Sequence, residues 1–336
     1  MHRYFKLPMA IVLLGCWNSL LAQGDSHSLS FVQHFMDSTR WLQQQGYVPD
    51  HAQSPSMVRA STQLLSAPTS NKSQLKWSRL VAASLTLAAA NYAVYQPFKA
   101  AWWQEERTHF HFYQGWRRSQ GYLDFGWHDT LYGHMDKLGH FYSSRLLAEQ
   151  FYDICRWIGF SENSSKILGP TVSSLLMLEI EIYDGFFKEW GFSLADFTAN
   201  ELGAFSPLIE EKFPVLQNFQ LKFSYHPSRQ PQREQTFIKD YAGMTFWLSA
   251  NVHAALPHPM NSVYPKWLNL ALGYSVSKPT RGQIELYLAP DINWLKIPWG
   301  GDSRTMRFIK RTLNYVHLPC FAWQLRPDRK FLPLYF

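Results

Sequence analysis

Apolar residues recur at helical spacing through the first two thirds of the chain and at alternate positions through the last third. Leu29, Val32, Phe35, Met36 and Leu42 mark a short amphipathic helix over Ser28–Gln45. A stretch rich in Ser, Gln and Thr follows over His51–Ser73, with Pro55 and Pro68, and reads as a linker. Leu80 to Phe98 carries no charge and lies between Arg79 and Lys99, which predicts a helix ended by Pro97. Ser84, Thr86, Asn91 and Gln96 make it a poor lipid span, so a core or membrane-surface helix is expected. An aromatic, loop-like stretch over Trp102–Trp127 precedes three more helical segments, Tyr132–Ile158, Ser165–Phe187 and Ser193–Phe213. Ser193 is a predicted N-cap with Asp196 as its first-turn acid, and Gly191 separates this segment from the one before.

Beyond Pro214 the period falls to two. Phe219, Leu221, Phe223 and Tyr225 alternate, as do Leu268, Leu270, Leu272 and Tyr274, and then Ile284, Leu286, Leu288, Ile292 and Trp294. A basic amphipathic helix is expected over Arg304–Val316, and two short strands close the chain at Phe321–Leu325 and Phe331–Phe336. The expected fold class is α+β: an N-terminal helical bundle of about four helices, then a C-terminal antiparallel β region with one amphipathic helix. The terminal Phe after alternating aromatics resembles the end signal of outer-membrane proteins. About six strands fall short of a closed transmembrane barrel, which in bacterial single-chain cases starts at about eight.

Arg3 and Lys6 followed by the apolar run Leu7–Leu14 form a secretory leader, so export to the periplasm or outer membrane of a Gram-negative bacterium is expected. Two processing sites compete, one after Ala22 and one a lipobox ending at Cys16, which would leave a lipid anchor. Cleavage after Ala22 is the preferred reading, and it divides the chain into a leader (1–22), a short helix and linker (23–75), a helical domain (76–213) and an aromatic-rich β region (214–336). It also leaves Cys155 and Cys320, for which a disulfide and two free thiols are both open.

Composition sharpens this picture. Charged residues make up only 17% of the 336 positions and aromatics 16%, which excludes disorder, collagen and coiled coil. A mean hydropathy of -0.26 argues against a bundle of membrane-spanning helices. The formal charge of +7 comes without a basic run, so nucleic acid is not an expected partner, while a membrane surface or the outer membrane is.

Candidate chemistry lies on the three later helices. Asp136 and His140 stand at i and i+4, Glu181 and Asp184 at i and i+3, and Asp196 and Asn200 at i and i+4, with Glu179 on the opposite side of its helix. If the three stripes face inward, carboxylates, an imidazole and an amide meet. Such a cluster persists only by sharing protons, by pairing with Lys137 or by holding a cation, and those are also conditions for acid–base or metal chemistry. Spacing alone leaves an ordinary reading open, in which Asp196 complements the helix dipole, Asp136 and Lys137 are solvated, and His140 is a satisfied core histidine. His109, His111, His128 and His134 are spaced irregularly and read as loop histidines. Trp102, Trp103 and Trp116 read as packing or lipid-interface rings, and Arg304, Arg307, Lys310 and Arg311 as a solvated basic face with lipid contact as the alternative.

Asp136-Lys137-x-x-His140-Phe141, Glu181-x-x-Asp184 and Ser193-x-x-Asp196-x-x-x-Asn200-x-x-Gly203 resemble, in order, the pattern of the YfiM-like predicted periplasmic lipoproteins, an envelope family without an assigned activity. Lys239-Asp240-Tyr241-x-Gly243-x-Thr245-x-Trp247-Leu248-Ser249 and Pro265-Lys266-Trp267-Leu268-Asn269-Leu270-Ala271-x-Gly273-Tyr274 are similar to further marks of its long, Bacteroidetes-type form, from about Arg79 to Phe336. The helical pattern is more distantly similar to VanZ-like membrane proteins. The resemblance favours a shared cluster and names no substrate.

Two functions follow. One is an enzyme acting on a lipid or cell-wall intermediate, with His140 as general base or ligand, Glu181 and Asp184 as acids or ligands, and Asp196 and Asn200 orienting them. A divalent cation, if held, would use His140, Glu181 and Asp184. The other is a non-catalytic, outer-membrane-associated structural or interaction protein. Gly-rich phosphate loops, G-x-S-x-G elbows and H-E-x-x-H helices are absent from the sequence.

Overall fold

The structure, a computed structural model, describes residues 73–114, 125–127, 133–228, 239–277, 283–301 and 303–336. The leader, the Ser28–Gln45 helix, the linker up to residue 72, Trp116 and His128 lie outside them. The described residues belong to one compact unit over Ser70–Phe336. It is α+β: four helices, then a six-stranded antiparallel sheet in which every strand pairs with its neighbour in sequence.

The helices are α1 (Trp77–Trp102), α2 (Met135–Ile158), α3 (Glu162–Asp184) and α4 (Leu194–Lys212). Pro97 does not end α1, which runs on to Trp102. Proline removes a single donor there, and rings hold the last turn in place: Phe98 lies 5.1 Å from Trp102, and Trp103 stacks on Tyr183 at 4.8 Å. Much of α1 faces outward, with Val81, Leu85 and Tyr92 exposed, so it is a surface helix rather than a core one. No helix among the described residues is long and apolar enough to cross a membrane.

Helix α3 begins a turn before the expected Ser165, because the Ser161 hydroxyl accepts from the Ser164 amide at 3.1 Å and caps it. Ser193 caps α4 as expected, accepting from the Asp196 amide at 3.2 Å. Gly191, at φ +109°, makes the turn between these two helices in a conformation that side chains rarely adopt. Helix α2 is central. Small residues bring its neighbours against its backbone, so that a Cβ on Gly203 of α4 would stand 2.2 Å from the Phe141 carbonyl oxygen.

The sheet consists of β1 (Phe219–Tyr225), β2 (Met244–Ala250), β3 (Leu268–Val276), β4 (Ile284–Ile292), β5 (Cys320–Arg326) and β6 (Lys330–Tyr335). Helix α5 (Arg304–Asn314) stands between β4 and β5. The sheet is rolled. Tyr335 of β6 reaches the Thr245 hydroxyl of β2 at 3.0 Å, and residues 315–317 pair with β1 through Phe223 N–H to the Tyr315 carbonyl and His317 N–H to the Phe223 carbonyl.

The inner face combines a buried apolar cluster of Trp247, Ala271, Tyr287, Ala289 and Ala322 with buried polar groups. Lys222 and Asp291 form a buried ion pair at 2.7 Å, and the Ser249 hydroxyl donates to Asp291 at 2.6 Å. Asn269 donates in turn to the Ser249 oxygen at 2.9 Å, while Trp247 stacks on His317 at 3.8 Å. On the outer face, Met244, Phe246 and Val276 pack against Met135 of α2, and Tyr142 lies 5.7 Å from Phe223.

Two further expectations are settled here. Cys155 and Cys320 are free thiols. The basic face of α5 is not solvated throughout: Lys310 donates to the Ile297 carbonyl at 2.8 Å, and Arg311 pairs with Asp153 of α2.

Candidate functional site

Every predicted site residue is described, and α2, α3 and α4 bring them to one end of the bundle, within the first two turns of α2 and α4 and the last turn of α3. Lys137 bridges two of them, with its Nζ 2.6 Å from Asp136 Oδ2 and 2.7 Å from Asp196 Oδ1. Asp196 therefore does more than complement its helix dipole, since its carboxylate is tied to a neighbouring helix.

The second half of the cluster is deeper. Glu181 is 1% exposed, and its Oε1 accepts from Asn200 Nδ2 at 3.1 Å and lies 3.4 Å from His140 Nδ1. Asn200 is fully buried; its Oδ1 lies 3.0 Å from His140 Nδ1 and accepts from the Ser144 hydroxyl at 3.1 Å. Because the amide nitrogen of Asn200 is committed to Glu181, its oxygen faces the imidazole. That orientation places the proton of a neutral His140 on Nδ1 and leaves Nε2 as the basic nitrogen.

The Asp184 carboxylate stands apart from this network, accepting from Trp103 Nε1 at 2.6 Å. Glu179, on the opposite side of α3 as expected, accepts from Asn91 of α1 at 2.8 Å.

Electrostatics follow from burial and crowding. Burial raises the Glu181 carboxyl to about 8, helped by the charges of Asp196 and Asp184 and opposed by His140 and the Asn200 bond. Burial also raises Asp184 to about 6, against the Trp103 bond and His140. For His140 burial favours the neutral ring, but Asp196, Glu181 and Asp136 outweigh it and the ring titrates above its ordinary value. Lys137 likewise stays charged, as Asp196 and Asp136 overcome its desolvation.

The cluster is graded in depth. The His140 side chain is 22% exposed, while the carboxyl beneath it is shielded. One ligand atom from each of His140, Glu181 and Asp196 lies within 4.8 Å of the other two, the spacing a cation would need. In this grouping Asp196 stands where the expectation had Asp184. Among the described histidines, His109, His111 and His134 are not part of it.

Two contributors were not foreseen. Ser144 continues the Asp136, His140 stripe by one more helical step, a signal present in the spacing. Trp103 reaches Asp184 across 81 positions, and nothing local marks that bond.

Residues 124–211 match the model of a family described as predicted periplasmic lipoprotein (DUF2279). The match covers α2, α3 and α4, and with them all six residues Asp136, His140, Glu181, Asp184, Asp196 and Asn200. It is narrower than the expected resemblance from about Arg79 to Phe336, and it agrees with export to the periplasm or outer membrane. No curated protein and no solved structure matches the chain.

Proposed function

We propose that the protein is an exported envelope enzyme acting on a lipid or cell-wall intermediate, in keeping with its YfiM-like and more distant VanZ-like motifs. One observation carries this reading: a carboxyl group 1% exposed, Glu181, sits 3.4 Å from a partly accessible imidazole, His140, at a point where three helices converge. Packing alone gains little from such a group, because a buried ionisable pair is often no better for stability than apolar residues of similar volume.

In this reading His140 withdraws a proton from an attacking water or hydroxyl of the substrate, with Asn200 fixing the ring. Glu181, beside Nδ1, takes the Nδ1 proton of the imidazolium when its own carboxyl is ionised and returns it to reset the ring. Lys137, held between Asp136 and Asp196, offers a fixed positive charge beside the imidazole. A divalent cation held by His140, Glu181 and Asp196 would supply Lewis acidity at the same place.

The test is complementation of a deletion strain challenged with cell-wall and membrane stress, using His140→Ala and Glu181→Gln, with metal content of the purified chain measured alongside. Loss of complementation at wild-type abundance supports the enzyme. Full complementation by both variants refutes it, and loss of the protein itself assigns the cluster to helix packing.

A further inference from the structure

The sheet encloses charge beside its apolar inner cluster and leaves large apolar side chains exposed on its outer face. Lys222 and Asp291, with side chains 0% and 2% exposed, point to the inside of the roll, together with Ser249, Asn269 and Gln324. The outer face away from α2 is apolar and open. Leu248 pairs with Leu272, Leu272 with Leu288, Leu288 with Trp323 and Trp323 with Phe331. These residues form one unbroken row across β2 to β6. Leu248, Leu272, Trp323 and Phe331 are exposed at 45%, 43%, 47% and 54%. At about 4.8 Å per strand the row extends roughly 19 Å, well beyond a scattered surface leucine.

Cations border this row. The β5–β6 turn carries Arg326, Arg329 and Lys330, all exposed, against the single acid Asp328. A cleft of about 310 Å³ brings the two features together, its lining including Leu288, Trp323, Phe331, Arg329 and Lys330 as well as the polar Gln324. An exposed apolar face with basic residues at its border is the arrangement of a surface whose solvent is acyl chain and whose neighbours are phosphate headgroups.

We infer that the outer face of β2–β6 is a membrane-docking surface, with the Leu248 to Phe331 row against the hydrocarbon of a bilayer and Arg326, Arg329 and Lys330 on anionic headgroups. The inference is independent of catalysis and of any lipid anchor at Cys16. Its partner is a lipid surface rather than a second copy of the chain, because the border carries three cations to one acid and a two-fold contact would set that net positive charge against itself.

The experiment is vesicle flotation of the full chain carrying Cys16→Ser, which removes any acyl anchor, with phosphatidylglycerol-containing or purely phosphatidylcholine vesicles. Flotation is expected with both and stronger with the anionic ones. Leu272→Glu with Phe331→Glu should abolish it, and Arg329→Glu with Lys330→Glu should weaken binding to anionic vesicles by about tenfold or more. Should the acidic pair fail to fold, brominated lipids provide a second measurement. They should quench the wild-type tryptophan emission more than that of Trp323→Phe. Failure to float, equal quenching of the two chains, or a stable dimer that shields Trp323 from a soluble quencher would each overturn the inference.

Discussion

Replacing Gly203 by alanine sets two effects of opposite sign against each other. Alanine in a helix interior is favoured over glycine by about 1 kcal/mol, so propensity alone predicts a more stable protein. The packing predicts the opposite. A Cβ there stands 2.2 Å from the Phe141 carbonyl oxygen and 2.8 and 2.9 Å from that residue's C and Cα, all backbone atoms with no rotamer to yield. Ordinary contact begins at 3.4 Å, so α4 must retreat from α2 by roughly 1 Å.

One helical turn away, Asn200 lies 3.0 Å from His140 and 3.1 Å from Glu181, and a retreat of that size stretches both beyond hydrogen-bonding distance. Overpacking costs about 1–3 kcal/mol, and leaving buried groups unpaired adds about 1–3 kcal/mol more. Net destabilisation of roughly 1–5 kcal/mol is therefore expected after the propensity gain is subtracted. Urea unfolding followed by tryptophan fluorescence measures the stability, and the ¹⁵N signals of His140 report the lost bond. A Gly203→Ala chain as stable as wild type, with an unchanged imidazole signal, refutes the close approach of these two helices and the site geometry built on it.

Other outcomes follow from buried charge. His317 is 2% exposed, and neither ring nitrogen makes a hydrogen bond of normal geometry among the described residues. Burial lowers its titration from 6.5 to about 4, aided by the Lys222 charge and opposed by Asp291 and the nearby Pro290 carbonyl. The folded ring thus resists protonation. Its contribution is intact above pH 6.5 and is lost as pH falls through 6.5 toward 4, about 3 kcal/mol in all. Comparing the stability of wild type and His317→Phe from pH 7.5 down should show that extra loss in wild type only. Lys222→Met should cost about 3–5 kcal/mol by stranding Asp291, and adding Asp291→Leu should recover much of it in a denaturation assay. Trp103→Phe removes the bond that holds Asp184 down, so the Asp184 carboxyl should titrate higher than in wild type, read by ¹³C NMR.

Much of the helical half was legible because its signals are local. Apolar periodicity located α2, α3 and α4 to within a turn, and Ser193 with Asp196 marked the start of α4. The stripe geometry placed Asp136, His140, Glu181, Asp196 and Asn200 at one spot, since i, i+3 and i+4 spacing fixes a helix face without knowledge of the partner. The position of Asp184 was not legible to the same degree, because Trp103 claims it from a distant segment. Strand β2 went unmarked: Thr245 and Ser249 share a face with Trp247, and that bulky apolar ring blurs the alternation. Alternation in the other strands also left open which face turns inward. The curl that encloses the face of Lys222, Trp247 and Asp291 depends on Tyr335 meeting Thr245 across 90 positions.

The seam between α2 and the sheet has a practical consequence for anyone dividing the gene. Tyr142 donates to the Tyr315 carbonyl at 2.9 Å and Tyr315 donates to Glu149 at 2.5 Å, while Met135 is fully enclosed by residues of β2 and β3. A fragment stopped after residue 213 would be born with a greasy flank and a severed latch, and the remaining piece would lack the wedge around which its strands settle. Expressed separately, the halves should precipitate, and only co-expression or an uncut reading frame should yield material fit for assay.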